Sequence, residues 1–165
     1  MIKMNDIKIE VLMPDQESFK KICDYCEENI NRENHSENGG TLNFKNLTYE
    51  SDILIIAFKD DVPVAYNSMV VTNNGAVLYV YQIAVKKEYQ GNGIGTEIMK
   101  KAISIAKKLN MDVSAHARDY NIASRKMFNT LGFEKIEKYS TKENYFLYLK
   151  QRKKVLKEII SKKYR

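Results

Sequence analysis

Residues 7–13 (IKIEVLM) alternate apolar and polar side chains, the period of a strand buried on one face. Pro14-Asp15 follows, and Phe19, Ile22, Cys23, Cys26 and Ile30 then recur every three or four residues, which predicts a helix. The polar segment 31–40 ends in two glycines and reads as a surface loop with room for a short helical turn. Residues 52–59 (DILIIAFK) are an almost unbroken apolar run, suited to a strand covered on both faces. Asp60-Asp61 makes a tight turn into a strand over 62–72. Asn73-Asn74-Gly75 is a hairpin signal, because Asn and Gly accept positive φ. A strand over 76–85 completes an antiparallel meander.

The pattern then changes period. Ile94, Ile98, Met99, Ala102, Ile103, Ile105, Ala106 and Leu109 form a broad helical stripe, predicting a helix over 93–109. Residues 111–117 (MDVSAHA) read as a strand, 121–131 as a second helix and 133–139 as another strand, with 145–149 (YFLYL) as its antiparallel partner. Val155, Leu156, Ile159 and Ile160 give a last amphipathic helix over 150–165 whose other face is mostly lysine. The strand–helix–strand from 76 to 117 has the length of a parallel βαβ crossover. A meander feeding such a unit makes a mixed, mostly antiparallel α/β sheet of six to seven strands, with helices on both faces.

A chain of 165 residues holds one well-filled core, so 1–165 reads as a single domain with the 150–165 helix appended. No segment approaches the roughly 20 apolar residues of a membrane span, and the N-terminal residues lack the apolar core of a secretion signal. The expected location is the cytoplasm, with no membrane partner. The net charge of +6 sits in the tail: residues 1–134 carry 16 basic and 18 acidic side chains, residues 135–165 carry 11 and 3. Such a run reads first as a solvated face, since charge alone supplies no groove-reading geometry, and no nucleic-acid partner is assigned. Cys23 and Cys26 are the only cysteines, in a helical stretch without a second pair, and His35 and His116 are not at metal-ligand spacing. The expectation is two reduced thiols and no metal.

Chemistry enters where the strand over 76–85 becomes a helix, through KKEYQGNGIG. Gly91, Gly93 and Gly95 alternate, which lets backbone approach a ligand closely. The first turn of a helix offers unpaired N–H groups and the positive end of its dipole, suited to a pyrophosphate. A Walker A loop would need Gly-Lys-Ser/Thr, but Gly95 precedes Thr96 and Glu97. A dinucleotide fingerprint would need glycine at position 96. A glycine-rich coil without a ligand stays open on the loop alone.

The stretch 83–96, IAVKKEYQGNGIGT, resembles motif A of the GNAT (GCN5-related N-acetyltransferase) superfamily, Gln/Arg-x-x-Gly-x-Gly/Ala. Asn121-x-x-Ser124-x-x-x-Phe128-x-x-x-Gly132-Phe133 resembles that family's second signature, Asn-x-x-Ala/Ser-x-x-x-Tyr-x-x-x-Gly-Phe. The likeness covers about residues 50–150. It implies acetyl-CoA as co-substrate, with Ile83, Ala84 and Val85 along the pantetheine arm. Gln90, Gly91, Asn92, Gly93, Ile94, Gly95 and Thr96 would cradle the pyrophosphate, and Asn121, Ser124, Arg125 and Phe128 would line the coenzyme elsewhere. It also implies that the strands over 76–85 and 111–117 splay to admit the thioester.

One position departs from the family. Phe128 stands where, by the resemblance, a tyrosine usually protonates the leaving thiolate, so solvent or another donor supplies the proton, with Tyr81 and Tyr120 as candidates by sequence proximity. His116, five residues before Asn121, is the candidate general base, because an imidazole titrates near neutrality. Tyr79 and Tyr81 read as wall residues on the motif strand. Glu33, Glu37, Glu50 and Asp52 are acidic residues near the acceptor half, with solvated loop charge as their simplest account.

Three functions follow. The first is an N-acetyltransferase carrying acetyl from acetyl-CoA to a primary amine by direct attack in a ternary complex. The amine is a small molecule or a protein amine, and a homodimer stays open. The second is an acyl-CoA-binding sensor with little turnover, which Phe128 keeps alive. The third is a nucleic-acid module using the basic tail.

Overall fold

Seven strands form one sheet in the order β1-β2-β3-β4-β5-β7-β6. They are β1 (Ile7–Leu12), β2 (Ile53–Lys59), β3 (Val62–Thr72), β4 (Val77–Val85), β5 (Asp112–Arg118), β6 (Glu134–Ile136) and β7 (Tyr145–Lys150). Among the described residues three α-helices accompany them: α1 (Phe19–Cys26), α2 (Ile94–Lys108) and α3 (Ile122–Thr130). The sheet is mostly antiparallel with one parallel pair, as the patterning requires. The computed structural model describes residues 2–33, 47–136 and 145–151. The helix expected over 150–165 does not begin at Lys150, which closes β7; the rest of that helix beyond residue 151, the rest of the 31–40 loop, His35, Glu37 and the end of the strand expected over 133–139 lie outside the described residues.

Contacts divide the chain into two units, Met1–Val70 with Val80–Lys101, and Val71–Tyr79 with Ala102–Arg165. In the first unit β1 pairs antiparallel with β2, and β2 with β3. Both faces of β2 are covered, as its unbroken apolar run predicts. Leu54, Ile56 and Tyr66 pack with Phe19, Cys23, Cys26 and Ile30 beneath α1. On the other face Asn67, which pairs with Ile55 in register, reaches Met99 of α2, its Nδ2 3.3 Å from Sδ. Each fully buried Leu or Ile contributes roughly 1.5–3 kcal/mol.

The turns follow their residues. Asp60 and Asp61 have φ of 51° and 64°, and Asn73, Asn74 and Gly75 have φ of 51°, 55° and 87°. These are left-handed conformations that Asp, Asn and Gly accept at low cost. One local difference from the expected single helix is that α1 stops at Cys26 and a π-helical turn covers Glu27–Asn31. The apolar stripe runs through the join unbroken, so its spacing gave no sign of the change.

In the second unit β7 lies between β5 and β6, antiparallel to both. The β6–β7 pairing was expected; the insertion beside β5 was not. Helix α2 ends at Lys108, and Asn110 beyond it is left-handed (φ 55°), with Met111 N–H donating to the Ala106 carbonyl at 2.8 Å. Helix α3 ends likewise. Gly132 (φ 84°) donates to the Asn129 carbonyl at 3.1 Å and Phe133 N–H to that of Phe128 at 2.9 Å, the two bonds of a Schellman stop.

Candidate active site

The glycine loop is built by the end of β4 and the start of α2, within the first unit. Gly91 and Gly93 have φ of 80° and 83°, and nothing lies within 4 Å of a Cβ built on either. The backbone there is left-handed and open to the outside. Gly93 is also the acceptor of the first bond of α2, from Glu97 N–H at 3.1 Å. The amides of Ile94, Gly95 and Thr96 precede that bond, so their N–H groups are the ones a helix start leaves for an anion. Gly95 belongs to the helix itself and, unlike Gly91 and Gly93, has no left-handed torsion.

The loop's side chains brace it from inside. Gln90 Nε2 donates to the Val85 carbonyl at 3.0 Å, and Asn92 Nδ2 donates to the carbonyls of Tyr89 and Gln90 at 3.0 and 3.2 Å. The side-chain amides of Gln90 and Asn92 thus support the backbone shape of the loop. Lys86 pairs with Glu88 at 3.5 Å, and the Glu33 carboxylate accepts the Lys87 N–H at 2.7 Å.

The second signature gains a structural meaning within the second unit. Asn121 caps α3, its Oδ1 accepting from Ser124 N–H at 3.2 Å. A cap of this kind is worth about 1 kcal/mol. Gly132 stops the helix, and Phe133 folds back so that its ring lies 5.1 Å from that of Phe128. Phe128 is 1% exposed and also meets Tyr148 at 5.2 Å. Arg125 donates from Nε to the Tyr148 hydroxyl at 3.2 Å and from Nη1 to the Asp119 carbonyl at 2.7 Å. So Phe128 and Arg125 both hold α3 to β7.

His116 and Tyr79 are brought together. The Tyr79 hydroxyl is 2.8 Å from His116 Nδ1, and the rings meet edge-on at 5.7 Å and 67°. Both are half-buried, and burial holds the imidazole below its ordinary 6.5. Cross-strand partners share a face, so Ala115 lies with Tyr148 and His116 with Leu147. Phe128, packed on Tyr148, is thus on the sheet face opposite the Tyr79–His116 pair. Of the two tyrosines considered as proton donors, Tyr81 bonds the Glu50 carboxylate, and burial together with that carboxylate raises its phenol above 10.0. Tyr120 is exposed, and its hydroxyl accepts from Arg118 Nη1 at 2.6 Å.

Sequence reasoning missed a polar cluster under α1. The Glu27 carboxylate accepts from Thr48 N–H and Oγ1 at 3.0 and 2.8 Å and from Asn31 Nδ2 at 2.5 Å. Asn31 Oδ1 in turn accepts from Gln82 at 2.7 Å. The π-helical turn places Asn31 inward, 4% exposed, and no sequence periodicity marks such a turn. Nearby, the Tyr66 hydroxyl is buried with no hydrogen-bond partner among the described residues, and burial, with Glu27 adding, raises it well above 10.0. Cys23 and Cys26 are free and buried. Among the described residues no group of three or more His, Cys, Asp or Glu is placed to hold a metal, and no helix is long and apolar enough to cross a membrane.

Comparison with known proteins bears on the family and the fold. The sequence model of the Acetyltransferase (GNAT) family matches residues 18–133. An uncharacterized N-acetyltransferase, CgeE, of Bacillus subtilis (strain 168) is 26% identical over 104 residues, or 60% of this chain; the chain spans 40% of that relative's length. Among solved structures, the PaiA N-acetyltransferase of Thermoplasma acidophilum in complex with coenzyme A superposes with a TM-score of 0.66 at 16% identity, over 88% of this chain and 98% of that one. The yncA protein of Salmonella typhimurium, solved with its cofactor acetyl-CoA, gives 0.66 at 15% identity, over 91% and 96%. At those identities the likeness is one of fold.

Proposed function

The chain belongs to the Acetyltransferase (GNAT) family, and on that premise we propose that it is a cytoplasmic N-acetyltransferase, with residues 1–165 serving as one domain. It moves an acetyl group from acetyl-CoA to a primary amine by direct attack. The observation that carries this reading is the open, left-handed Gly91–Gly93 loop at the start of α2. It has the chemistry of a pyrophosphate cradle: backbone N–H donors, a helix dipole and no side chain in the way.

In this reading the amides from Gln90 to Thr96 hold the pyrophosphate, and the backbone of Ile83 to Val85 holds the pantetheine arm alongside β4, as an added strand would lie. Asn121, Ser124, Arg125 and Phe128 shape the remainder of the coenzyme's surroundings. A strand amide near Val85 polarises the thioester carbonyl. The amine attacks as a neutral nucleophile, and His116, whose burial disfavours its charged form, is the base on which that proton comes to rest, directly or through an intervening group. Positioning both reactants supplies much of the rate, because a thiolate leaves readily.

Two measurements test the reading. Titration calorimetry should give micromolar binding of coenzyme A, and acetyl-CoA with a panel of small amines and peptide α-amines should release thiol faster than buffer. Binding without release at any amine would favour the acyl-CoA sensor instead. No binding would end both readings.

A further inference from the structure

With Phe128 where the family has a tyrosine, the departing thiolate lacks its usual donor, and among the tyrosines of the second unit whose side chains are described one stands apart. Tyr120 accepts a bond from Arg118 and stands exposed at 59%. Tyr148 is fully buried and accepts from Arg125 Nε. Tyr79 differs from both: it is half-buried, and its hydroxyl is directly bonded to an imidazole nitrogen. Among the described residues Tyr79 is the one side chain hydrogen-bonded to His116, so no carboxylate fixes the ring; the phenol does.

Resting on the transferase reading, we infer that Tyr79 is the catalytic acid–base group of the acetyl transfer and that His116 stands behind it as the proton store. Position supports this. A pantetheine arm lying along β4 runs back from the loop, through Val85 and Ile83, toward the start of the strand. Four residues of strand separate Ile83 from Tyr79, about 13 Å at the rise of a β-strand. The thioester end of the arm is the end nearer Tyr79.

The proton count closes. As the amine nitrogen bonds to the acetyl carbon, its proton passes to Tyr79 Oη while the Tyr79 proton passes to His116 Nδ1. When the carbon–sulfur bond breaks, the sulfur takes a proton from Tyr79 Oη, and His116 returns its proton to the phenol. The products are an amide and free coenzyme A thiol, with Tyr79 and His116 as they began. One hydroxyl thus does both transfers, and no tyrosine at 128 is required. Neutral His116 must then carry its proton on Nε2, because Nδ1 is the acceptor.

The test uses the full-length protein and the variants Tyr79→Phe, His116→Gln and the double variant. With acetyl-CoA and the best amine of the panel, Tyr79→Phe should lower kcat about 10²-fold and leave the KM for acetyl-CoA within about twofold. His116→Gln should act similarly, and the double variant should be no slower than the slower single one, as for groups that work as a unit. In ¹⁵N-histidine spectra the His116 signals, assigned by their loss in His116→Gln, should report the Nε2–H tautomer, and Tyr79→Phe should shift that equilibrium. Turnover of Tyr79→Phe within about threefold of wild type, strictly additive losses, or an Nδ1–H tautomer in the wild type would each overturn the relay while leaving the transferase intact. Absence of thiol release in the wild type would instead remove the transferase reading, and the relay with it.

Discussion

Gln90 ties the loop to the strand that precedes it, its side-chain amide donating to the carbonyl of Val85 at 3.0 Å. The tie spans the point where β4 gives way to the glycine turn, so it fixes the loop's entry, while Gly93 fixes its exit into α2. The two positions should therefore fail differently. Gly93→Ala forces a side chain onto a left-handed backbone and should cost roughly 1–2 kcal/mol in urea unfolding. It should also weaken coenzyme A binding by about tenfold or more in calorimetry. Gln90→Ala removes the bond to Val85, worth about 1 kcal/mol, and should weaken binding only a few-fold. Unchanged binding in Gly93→Ala would remove the loop from the coenzyme site.

Restoring the family's tyrosine at position 128 should not help. Phe128 is enclosed by Phe133 and Tyr148, on the sheet face away from His116. A hydroxyl placed there without a partner should cost about 1–3 kcal/mol. Phe128→Tyr should therefore unfold at lower urea and release thiol no faster than wild type. A severalfold gain in release would mean that the ring's edge reaches the reacting atoms.

Tyr66→Phe should go the other way. The Tyr66 hydroxyl is buried without a partner among the described residues, so its removal relieves a desolvated group. Stability should stay level or rise by about 1–2 kcal/mol. A marked loss would reveal a hydrogen bond made through buried water.

Cys23 and Cys26 should be inert in the folded protein. Burial pushes the Cys23 thiol up to about 11 and that of Cys26 higher still. At pH 8 a thiol of that strength is thiolate in only about one molecule in a thousand. Iodoacetamide at pH 8 should label neither until urea unfolds the chain, and then both; fast native labelling would show that α1 opens locally.

His116 links folding to pH. Its folded value lies below the unfolded 6.5, so the unfolded chain binds the proton more readily. Stability from this group is complete above about pH 6.5 and declines as pH falls through the window beneath it, flattening once the folded value is passed. Urea midpoints measured from pH 8 to pH 5 should fall more in wild type than in His116→Gln. Parallel curves would show the imidazole to be as solvated folded as unfolded.

What the sequence made legible was whatever short-range rules govern. Asn73-Asn74-Gly75 announces its turn because each residue tolerates the torsion it adopts. The β2 run announces a strand covered on both sides, and the helical stretch over 121–131 announces α3. Long-range register is different. Nothing in YFLYL says that β7 pairs with β5 as well as β6, because a strand's pattern fixes its faces and not its neighbours. Tyr79 and His116, 37 residues apart, could be named as a wall residue and a base but not as bonded partners, since their meeting depends on how the strands are placed. The π-helical turn was hidden for a related reason: Cys26 and Ile30 keep helical spacing while the hydrogen bonds beneath them change.

The open space at Gly91 and Gly93 has one more consequence, which concerns handedness. With nothing within 4 Å of a built Cβ, these positions do not exclude a side chain for lack of room; they exclude one of natural chirality on a backbone at φ near +80°. D-alanine, whose preferred torsions are the mirror image, would satisfy the loop where L-alanine strains it. The requirement written at these two sites is for a mirror-image stretch of backbone, and glycine is the one encoded residue that provides it without strain.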